Sequence, residues 1–229
     1  NYLTNIAYKS IRETENPNYF ITVDENNRYS IMNKSTEVKD TYANLKYAFD
    51  DYFIFTNDEN KMGLLNVWQG IVIEPEYDSI LKIENIKALE AKKGNETTIY
   101  SKDLKKISTI SDSIVENIKE KFAVIYSDTE MIYLDENGNQ ISNLNIFDNK
   151  LYSIKQNDKW GFQDKSGKIV VECTYDMVTE INEYGFAGIK KDGKWGIVNS
   201  DGFVISEPNY EIETYYFPSF IGKTYIRRL

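Results

Sequence analysis

Histidine is absent from this 229-residue sequence, and cysteine occurs once, as Cys173. Without histidine there is no Ser-His-Asp triad, no Cys-His pair and none of the common zinc sites that depend on imidazole. A single cysteine excludes a disulfide within the chain. The glycine-rich phosphate-binding patterns GxGxxG and GxxxxGKS/T are also missing. We therefore expect a protein that is not an enzyme, with no catalytic, cofactor-binding or metal-binding residues.

Long apolar runs and strong basic clusters are lacking too. No stretch approaches the roughly 18 apolar residues that a membrane-spanning helix needs. The first residues, NYLTNIAYKS, do not have the basic and then apolar profile of a signal peptide. The net charge of -9 would repel the phosphate backbone of nucleic acids. The sequence thus predicts neither a transmembrane segment in this chain nor a nucleic-acid partner.

Two neighbouring segments repeat one pattern of residues. Residues 158–176 read DKWGFQDKSGKIVVECTYD, and residues 193–211 read GKWGIVNSDGFVISEPNYE. Trp160 and Trp195 lie 35 positions apart, and each is followed by glycine and by an apolar residue at plus two. A turn glycine at plus seven and a tyrosine at plus fifteen complete the match. Such self-similarity indicates a repeat architecture.

The same frame fits the rest of the chain at intervals of 29 to 35 residues. In the columns at minus eight, minus six and plus two, nearly every residue is apolar or aromatic, and a period of two is typical of one face of a strand. TNIAYKSI near the start aligns with EPEYDSI, which predicts a seventh repeat split between the two termini. The six complete repeats are centred on Tyr29, Met62, Thr97, Met131, Trp160 and Trp195.

Each repeat reads as strand, turn, strand, turn, strand, with Asn, Asp and Gly in the turns. Helical periodicity is largely absent, and the best candidate for a helical turn is SDSIVENIKEKF at 111–122. We predict a single all-β domain over residues 1–229, an array of about six short antiparallel three-stranded units with little helix. The array could be a propeller-like ring or a curved β-solenoid, and both alternatives stay open.

The segments KWGFQDKSGKIVVECTYD and KWGIVNSDGFVISEPNYE resemble the bacterial WG repeat, whose pattern is approximately G-K-W-G-F-I-D-x-x-G-K-x-V-I-x-P-x-Y-D. The resemblance implies a β-rich array in surface or exported bacterial proteins, with no catalytic residues. It therefore also implies an extracellular or cell-envelope location, with a cytoplasmic location as the open alternative. The sequence departs from the pattern at Cys173, which occupies the proline position, and in four of the six repeats, which lack the tryptophan.

Trp160 and Trp195 are interpreted as packing residues. Methionine, tyrosine and threonine occupy the same column in the other repeats, and a ligand-binding platform would not accept threonine in place of tryptophan. The alternative is an aromatic platform for sugar rings or peptides.

Trp68 is out of register with that column, because it lies at a turn position in LNVWQGIVI where the other repeats are polar. Aromatic residues on turns are commonly exposed and favour interfaces. Near the C-terminus, YEIETYYFPSF either caps the last repeat or contacts a partner. We predict that a protein partner binds at Trp68, Tyr215, Tyr216 and Phe217. Recognition of a cell-wall or surface glycan is the second hypothesis, and a carboxylate-based hydrolase is the third.

The segment DENGN at 135–139 has the alternating spacing of polar residues with which a calcium loop begins. However, Ile146 occupies loop position twelve, where a bidentate glutamate is required, and Gly138 stands at position four instead of six. We therefore predict a turn here, as in the aligned DKSG.

Overall fold

The computed structural model describes residues 8–33, 40–118, 121–127, 130–182 and 184–211. In this part of the chain the strands form six antiparallel sheets, and the helical structure is a 3-10 helix at Asn143–Asn145. The all-β prediction is therefore confirmed. The described residues include no helix with the length and apolar character needed to span a membrane. The chain divides into two compact units, Asn1–Asp112 and Ser113–Leu229, which we call the N-terminal and C-terminal halves.

Three antiparallel meanders make up the N-terminal half. Its strands are β1 (Ser10–Glu13), β2 (Tyr19–Val23), β3 (Tyr29–Asn33), β4 (Asn44–Phe49), β5 (Tyr52–Thr56), β6 (Met62–Asn66), β7 (Gly70–Tyr77), β8 (Ser79–Lys82), β9 (Leu89–Lys93), β10 (Glu96–Tyr100) and β11 (Lys106–Ser111). They pair in the orders β1-β2-β3, β4-β5-β6-β7 and β8-β9-β10-β11. One apolar cluster joins the first sheet to the second through Ile31 and Phe53, and another joins the second to the third through Leu64 and Leu89.

Three further meanders make up the C-terminal half. Its strands are β12 (Ile114–Ile118), β13 (Phe122–Tyr126), β14 (Met131–Leu134), β15 (Gln140–Ile141), β16 (Tyr152–Gln156), β17 (Lys159–Gln163), β18 (Ile169–Tyr175), β19 (Met177–Val178), β20 (Phe186–Lys191), β21 (Lys194–Asn199) and β22 (Val204–Tyr210). They pair in the orders β12-β13-β14-β15, β16-β17-β18 and β19-β20-β21-β22. A single apolar cluster spans all three sheets and includes Val124, Phe162 and Ile189.

Most sheets contain a strand that the sequence did not reveal. β1, β4, β8, β12 and β19 each precede the hairpin of their sheet and pair with its first strand. In the repeat frame these residues are the connection between units. Ile80 of β8 shows why the connection becomes a strand, because its side chain is 1% exposed while its position pairs with Ala91 of β9. Four of the six sheets consequently have four strands instead of the predicted three.

The expected helical turn at 111–122 is wrong. Ile114–Ile118 form β12, which pairs with β13 from Ile114 opposite Tyr126 to Ile118 opposite Phe122. The hydrogen bonds of this pairing satisfy the backbone N–H and C=O groups of the segment. The β-branched residues of the segment also favour a strand. The seventh repeat, which the sequence splits between the termini, falls largely on residues 1–7 and 212–229, outside the described residues.

In the second turn of the repeat, the side chain of the first turn residue holds the backbone of the residues that follow. In the turn at 135–139, Asp135 Oδ1 accepts the backbone N–H groups of Asn137 and Asn139, each at 2.9 Å. Gly138 has a φ of 76°, a conformation that residues with a Cβ rarely adopt. The turn predicted at DENGN is confirmed.

Trp160 and Trp195 pack inside the C-terminal half, as predicted, with 5% and 6% of their surfaces exposed. Each lies opposite the tyrosine of its own repeat, Trp160 opposite Tyr175 and Trp195 opposite Tyr210. Both tryptophans belong to the apolar cluster of this half. The pairing explains why the pattern carries a tyrosine fifteen positions after the tryptophan.

The glycine after each tryptophan is required by the close approach of the third strand. Opposite Gly161, β18 bulges, because it has three residues where β17 has one. A Cβ on Gly161 would lie 2.4 Å from the carbonyl oxygen of Val171, and a Cβ on Gly196 would lie 2.4 Å from that of Ser206. Real Cβ atoms do not approach a backbone oxygen so closely. In the Trp-Gly pair, the tryptophan thus fills the core with its ring, and the glycine leaves room for the backbone of the third strand.

At two junctions between consecutive sheets, an aspartate at the end of the repeat joins one sheet to the next. The carboxylate of Asp78 accepts a hydrogen bond from Lys61 Nζ, beside the preceding sheet, at 2.6 Å. It accepts a second from the backbone N–H of Gly94, in the hairpin of the next sheet, at 2.8 Å. The equivalent contacts in the C-terminal half are Lys159 Nζ to Asp176 Oδ1 at 2.6 Å and Asp192 N to Asp176 Oδ2 at 2.7 Å. The hydrogen bond from the lysine lowers the pKa of both aspartate carboxyl groups. We call this arrangement the aspartate bridge.

Candidate functional site

Trp68 lies on the turn between β6 and β7, and 72% of its surface is exposed. The turn is fixed from below by Asn66, a buried side chain whose Oδ1 accepts the backbone N–H groups of Trp68 at 2.9 Å and Gln69 at 3.2 Å. The predicted exposure of Trp68 is confirmed. An exposed indole on a turn with fixed backbone can bind a partner at a low entropic cost.

Asp51 holds the indole of Trp68 from the neighbouring turn, between β4 and β5. Trp68 Nε1 donates to Asp51 Oδ2 at 3.3 Å, and the hydroxyl of Tyr19 donates to Asp51 Oδ1 at 2.8 Å. The backbone N–H of Val67 donates to the carbonyl oxygen of Asp51 at 3.1 Å. Among the described residues, no lysine or arginine forms an ion pair with Asp51. Its carboxylate is therefore bound by neutral donors alone.

Tyr19 connects this carboxylate to the core of the N-terminal half. Its ring is 4% exposed and meets the ring of Phe53 edge to face, with 5.7 Å between the centroids. Burial, together with the hydrogen bond to Asp51 and the charge of Asp51, raises the pKa of the Tyr19 hydroxyl to about 12. The hydroxyl is consequently a proton donor to Asp51 throughout the neutral range.

A depression of about 550 Å³ lies beside the Asp50–Asp51 turn. Lys87 Nζ, at its edge, binds Asp50 Oδ1 at 2.6 Å, and Lys82 Nζ binds Glu15 Oε2 at 2.8 Å. The lining residues are Glu15, Lys82, Glu84, Asn85, Ile86 and Lys87. The depression is open and of mixed charge, and Asp50, which the sequence places next to Asp51, is already neutralised by a lysine.

A second exposed surface lies in the C-terminal half. Phe186 pairs with Asn199, and the backbone N–H of Asn199 donates to the carbonyl oxygen of Phe203 at 3.0 Å, so the two phenylalanines occupy one row of the sheet. We call the surface the apolar edge. It consists of Phe186 and Phe203, which are 42% and 68% exposed, and the residues beside them in the chain, Tyr184, Val204 and Ile205, are exposed as well.

The sequence did carry a signal for the apolar edge. Phe203 stands eight positions after Trp195, in a column where the preceding repeat has Lys168 and the repeat around Met131 has Asn139. An aromatic residue in a polar turn column is the same anomaly that identifies Trp68. The described residues do not include the other three predicted partner-binding residues, Tyr215, Tyr216 and Phe217.

A buried carboxylate joins the three sheets of the C-terminal half. Glu180 is 4% exposed, and its Oε1 accepts Tyr133 of β14 at 2.5 Å, the amide of Asn143 at 2.8 Å and the hydroxyl of Ser153 of β16. Burial, followed by the charge of Glu180, raises the pKa of Tyr133 well above its ordinary value. The phenol thus remains a donor, and the cluster fixes the relative positions of the strands.

Comparison with known proteins agrees with the repeat assignment. Residues 160–195 match the family model described as the WG containing repeat. This WG repeat runs from the first buried tryptophan to the second, and so covers the Trp160-Gly161 pair, the bulged third strand and Asp176. No curated protein matches the chain.

The solved structures that match the chain have low sequence identity and low TM-scores. PorZ, an essential bacterial surface component of the type-IX secretion system of Porphyromonas gingivalis, is 10% identical over 89% of this chain and 33% of its own, with a TM-score of 0.32. BamB from Moraxella catarrhalis is 10% identical over 90% of this chain and 75% of its own, also with a TM-score of 0.32. The chain therefore spans about a third of the PorZ structure. Similarity at this level says nothing about activity.

Proposed function

We propose that this chain is a non-enzymatic β-repeat binding module that engages a protein partner at the bacterial cell surface or after export. The observation that carries the proposal is Trp68, an indole 72% exposed on a turn whose backbone is fixed by Asn66 and whose ring nitrogen is bound by Asp51. Tryptophan is among the residues that most often dominate binding energy at protein interfaces. The location rests on the resemblance to surface and exported WG-repeat proteins.

A protein partner is favoured over a glycan by the surroundings of Trp68. Sugar-binding platforms stack rings on two or three coplanar aromatic residues in one groove. Among the described residues of the N-terminal half, Trp68 is the only aromatic with a largely exposed side chain. The nearby carboxylate of Asp50 is paired with Lys87, which supports a binding role over acid-base chemistry.

The test is recovery of a partner by the purified chain from envelope and secreted fractions of a bacterium that encodes it, followed by calorimetry with the purified partner. Trp68→Ala should weaken the partner at least tenfold, while Gln69→Ala, on the same turn, should bind like the parent. Both variants should melt like the parent, because both side chains are exposed. Unchanged affinity of Trp68→Ala, or binding of a glycan array that Trp68→Ala abolishes, would contradict the proposal.

A further inference from the structure

Asp51 has no positively charged partner in the part of the chain that the structure describes. Its two oxygens are bound by the Tyr19 hydroxyl at 2.8 Å and by the Trp68 indole N–H at 3.3 Å, and among the described residues no lysine or arginine is paired with it. Most neighbouring charges are compensated. Asp50 beside it binds Lys87, and Glu15 binds Lys82. A half-buried carboxylate of this kind favours a cation that enters from outside the molecule.

In each of the other two tryptophans of the chain, the ring is in contact with a lysine ammonium group. Lys155 Nζ lies over the ring of Trp160 at 5.9 Å from its centroid, and Lys190 Nζ lies over the ring of Trp195 at 5.8 Å. Each lysine is the cross-strand partner of its tryptophan. Among the described residues, no lysine or arginine lies over Trp68. Trp68 therefore presents an unoccupied aromatic face next to an uncompensated carboxylate.

We propose that Trp68 and Asp51 together form a receiving site for a cationic side chain, an arginine or lysine, of the protein partner. The cation stacks on the exposed face of the indole within about 6 Å of the ring. It also pairs with the carboxylate of Asp51 at the edge of that ring. Arginine suits the site best, because its planar guanidinium can stack on the indole and donate to the carboxylate at once. The net charge of -9 steers basic partners toward the chain.

The proposal rests on the proposed protein-binding function and names the chemistry of the partner. A tetra-arginine peptide serves as the probe, and a tetra-citrulline peptide of the same shape but without charge serves as its control. Binding is followed by the fluorescence of Trp68, assigned by its loss in Trp68→Phe, since Trp160 and Trp195 are buried. The parent should bind tetra-arginine at least tenfold more tightly than tetra-citrulline, and added salt should weaken the binding.

The decisive variant is Asp51→Asn, which removes the charge; its amide oxygen can accept from the Trp68 indole, and its amide N–H can donate to the Tyr19 hydroxyl, which accepts as well as donates. Glu59→Gln is the matched control, because Glu59 is an exposed carboxylate on the hairpin between β5 and β6 of the same sheet. Asp51→Asn should weaken tetra-arginine binding at least tenfold, and Glu59→Gln should change it less than twofold. Equal affinity of Asp51→Asn and parent, no binding of tetra-arginine by the parent, or equal binding of the two peptides would overturn the inference.

These outcomes are separate from the test of the proposed function. If Trp68→Ala loses the recovered partner while Asp51→Asn keeps it and tetra-arginine does not bind, the protein-binding function stands and the cation site falls. If tetra-arginine binding depends on Asp51 but the recovered partner does not need Trp68, the cation site stands and the proposed function falls. Quenching of Trp68 by a hexasaccharide of N-acetylglucosamine, without an effect of tetra-arginine, would overturn both.

Discussion

Replacement of Gly161 by alanine should destabilise the C-terminal half by about 3 kcal/mol. The added Cβ would lie 2.4 Å from the carbonyl oxygen of Val171 and 2.8 Å from the backbone nitrogen of Cys173. Non-bonded carbon atoms pack at about 3.5 to 4.0 Å, so β18 must retreat by roughly 1 Å. Because both obstacles are backbone, neither can rotate away, and the cost falls at the upper end of the usual range for overpacking.

The matched control is Gly167→Ala in the turn that follows. Gly167 has a φ of +89°, but the nearest atom to its would-be Cβ is 4.0 Å away. Alanine there costs about 1 kcal/mol of backbone strain without a collision. Urea unfolding of the two variants, monitored by tryptophan fluorescence, reports on this half because Trp160 and Trp195 are buried in it. If Gly161→Ala is no less stable than Gly167→Ala, our explanation of the Trp-Gly pair is refuted.

Three further outcomes are expected. Trp160→Ala should lower the free energy of unfolding by about 3–5 kcal/mol, because it truncates a side chain that is 5% exposed, and a variant that melts like the parent would show that Trp160 does not pack as described. Burial raises the pKa of Tyr19 and of Tyr126 to about 12, above the value of about 10 for an unfolded tyrosine. The stability from these groups is therefore complete below pH 10 and is lost as the pH rises toward 12. Titration of tyrosinate absorbance should reveal a late-ionising group in the folded chain, and ionisation of every tyrosine near pH 10 would contradict this. Phe203→Lys, which places a polar residue in a polar column, should leave the melting temperature within about 2 °C of the parent and reduce the binding of an apolar dye. A large fall in the melting temperature would mean that Phe203 supports the fold.

The repeat frame could be predicted because the same types of side chain recur at the same positions. Trp160 and Trp195, followed by glycine and by a turn glycine, set a register that also placed Met62 and Met131 at the start of strands. The additional strands could not be predicted in this way. β19 has only two residues, the side chains of these strands differ from repeat to repeat, and a brief apolar run such as that around Ile114 suits a helix or a strand equally. Only the neighbouring hairpin, which offers free backbone groups, decides between them.

The candidate site was predictable in one residue only. Trp68 is exposed because it falls on a turn, and its departure from the repeat register is visible in the sequence. Its partner Asp51 is 17 residues away, and Tyr19 is 32 residues from Asp51, in a different sheet. Their meeting depends on the tertiary packing of Tyr19 against Phe53, which no local pattern reports. The apolar edge could also have been predicted, because Phe203 shows the same anomaly as Trp68, an aromatic residue in a polar turn column.

The aspartate bridge has a consequence for the evolution of the chain. Asp78 and Asp176 each contact the next sheet through a backbone N–H, which every residue except proline supplies. The donors Gly94 and Asp192 have φ of 60° and 51°, a conformation that favours Gly, Asn and Asp, so the hairpin keeps one of these residues at this position while its other side chains can diverge without losing the joint. A copy of about 35 residues that ends in such an aspartate could therefore be duplicated in the gene and keep this joint with the next sheet. Arrays of different length, each carrying its own surface anomaly such as Trp68, can arise from one ancestral module.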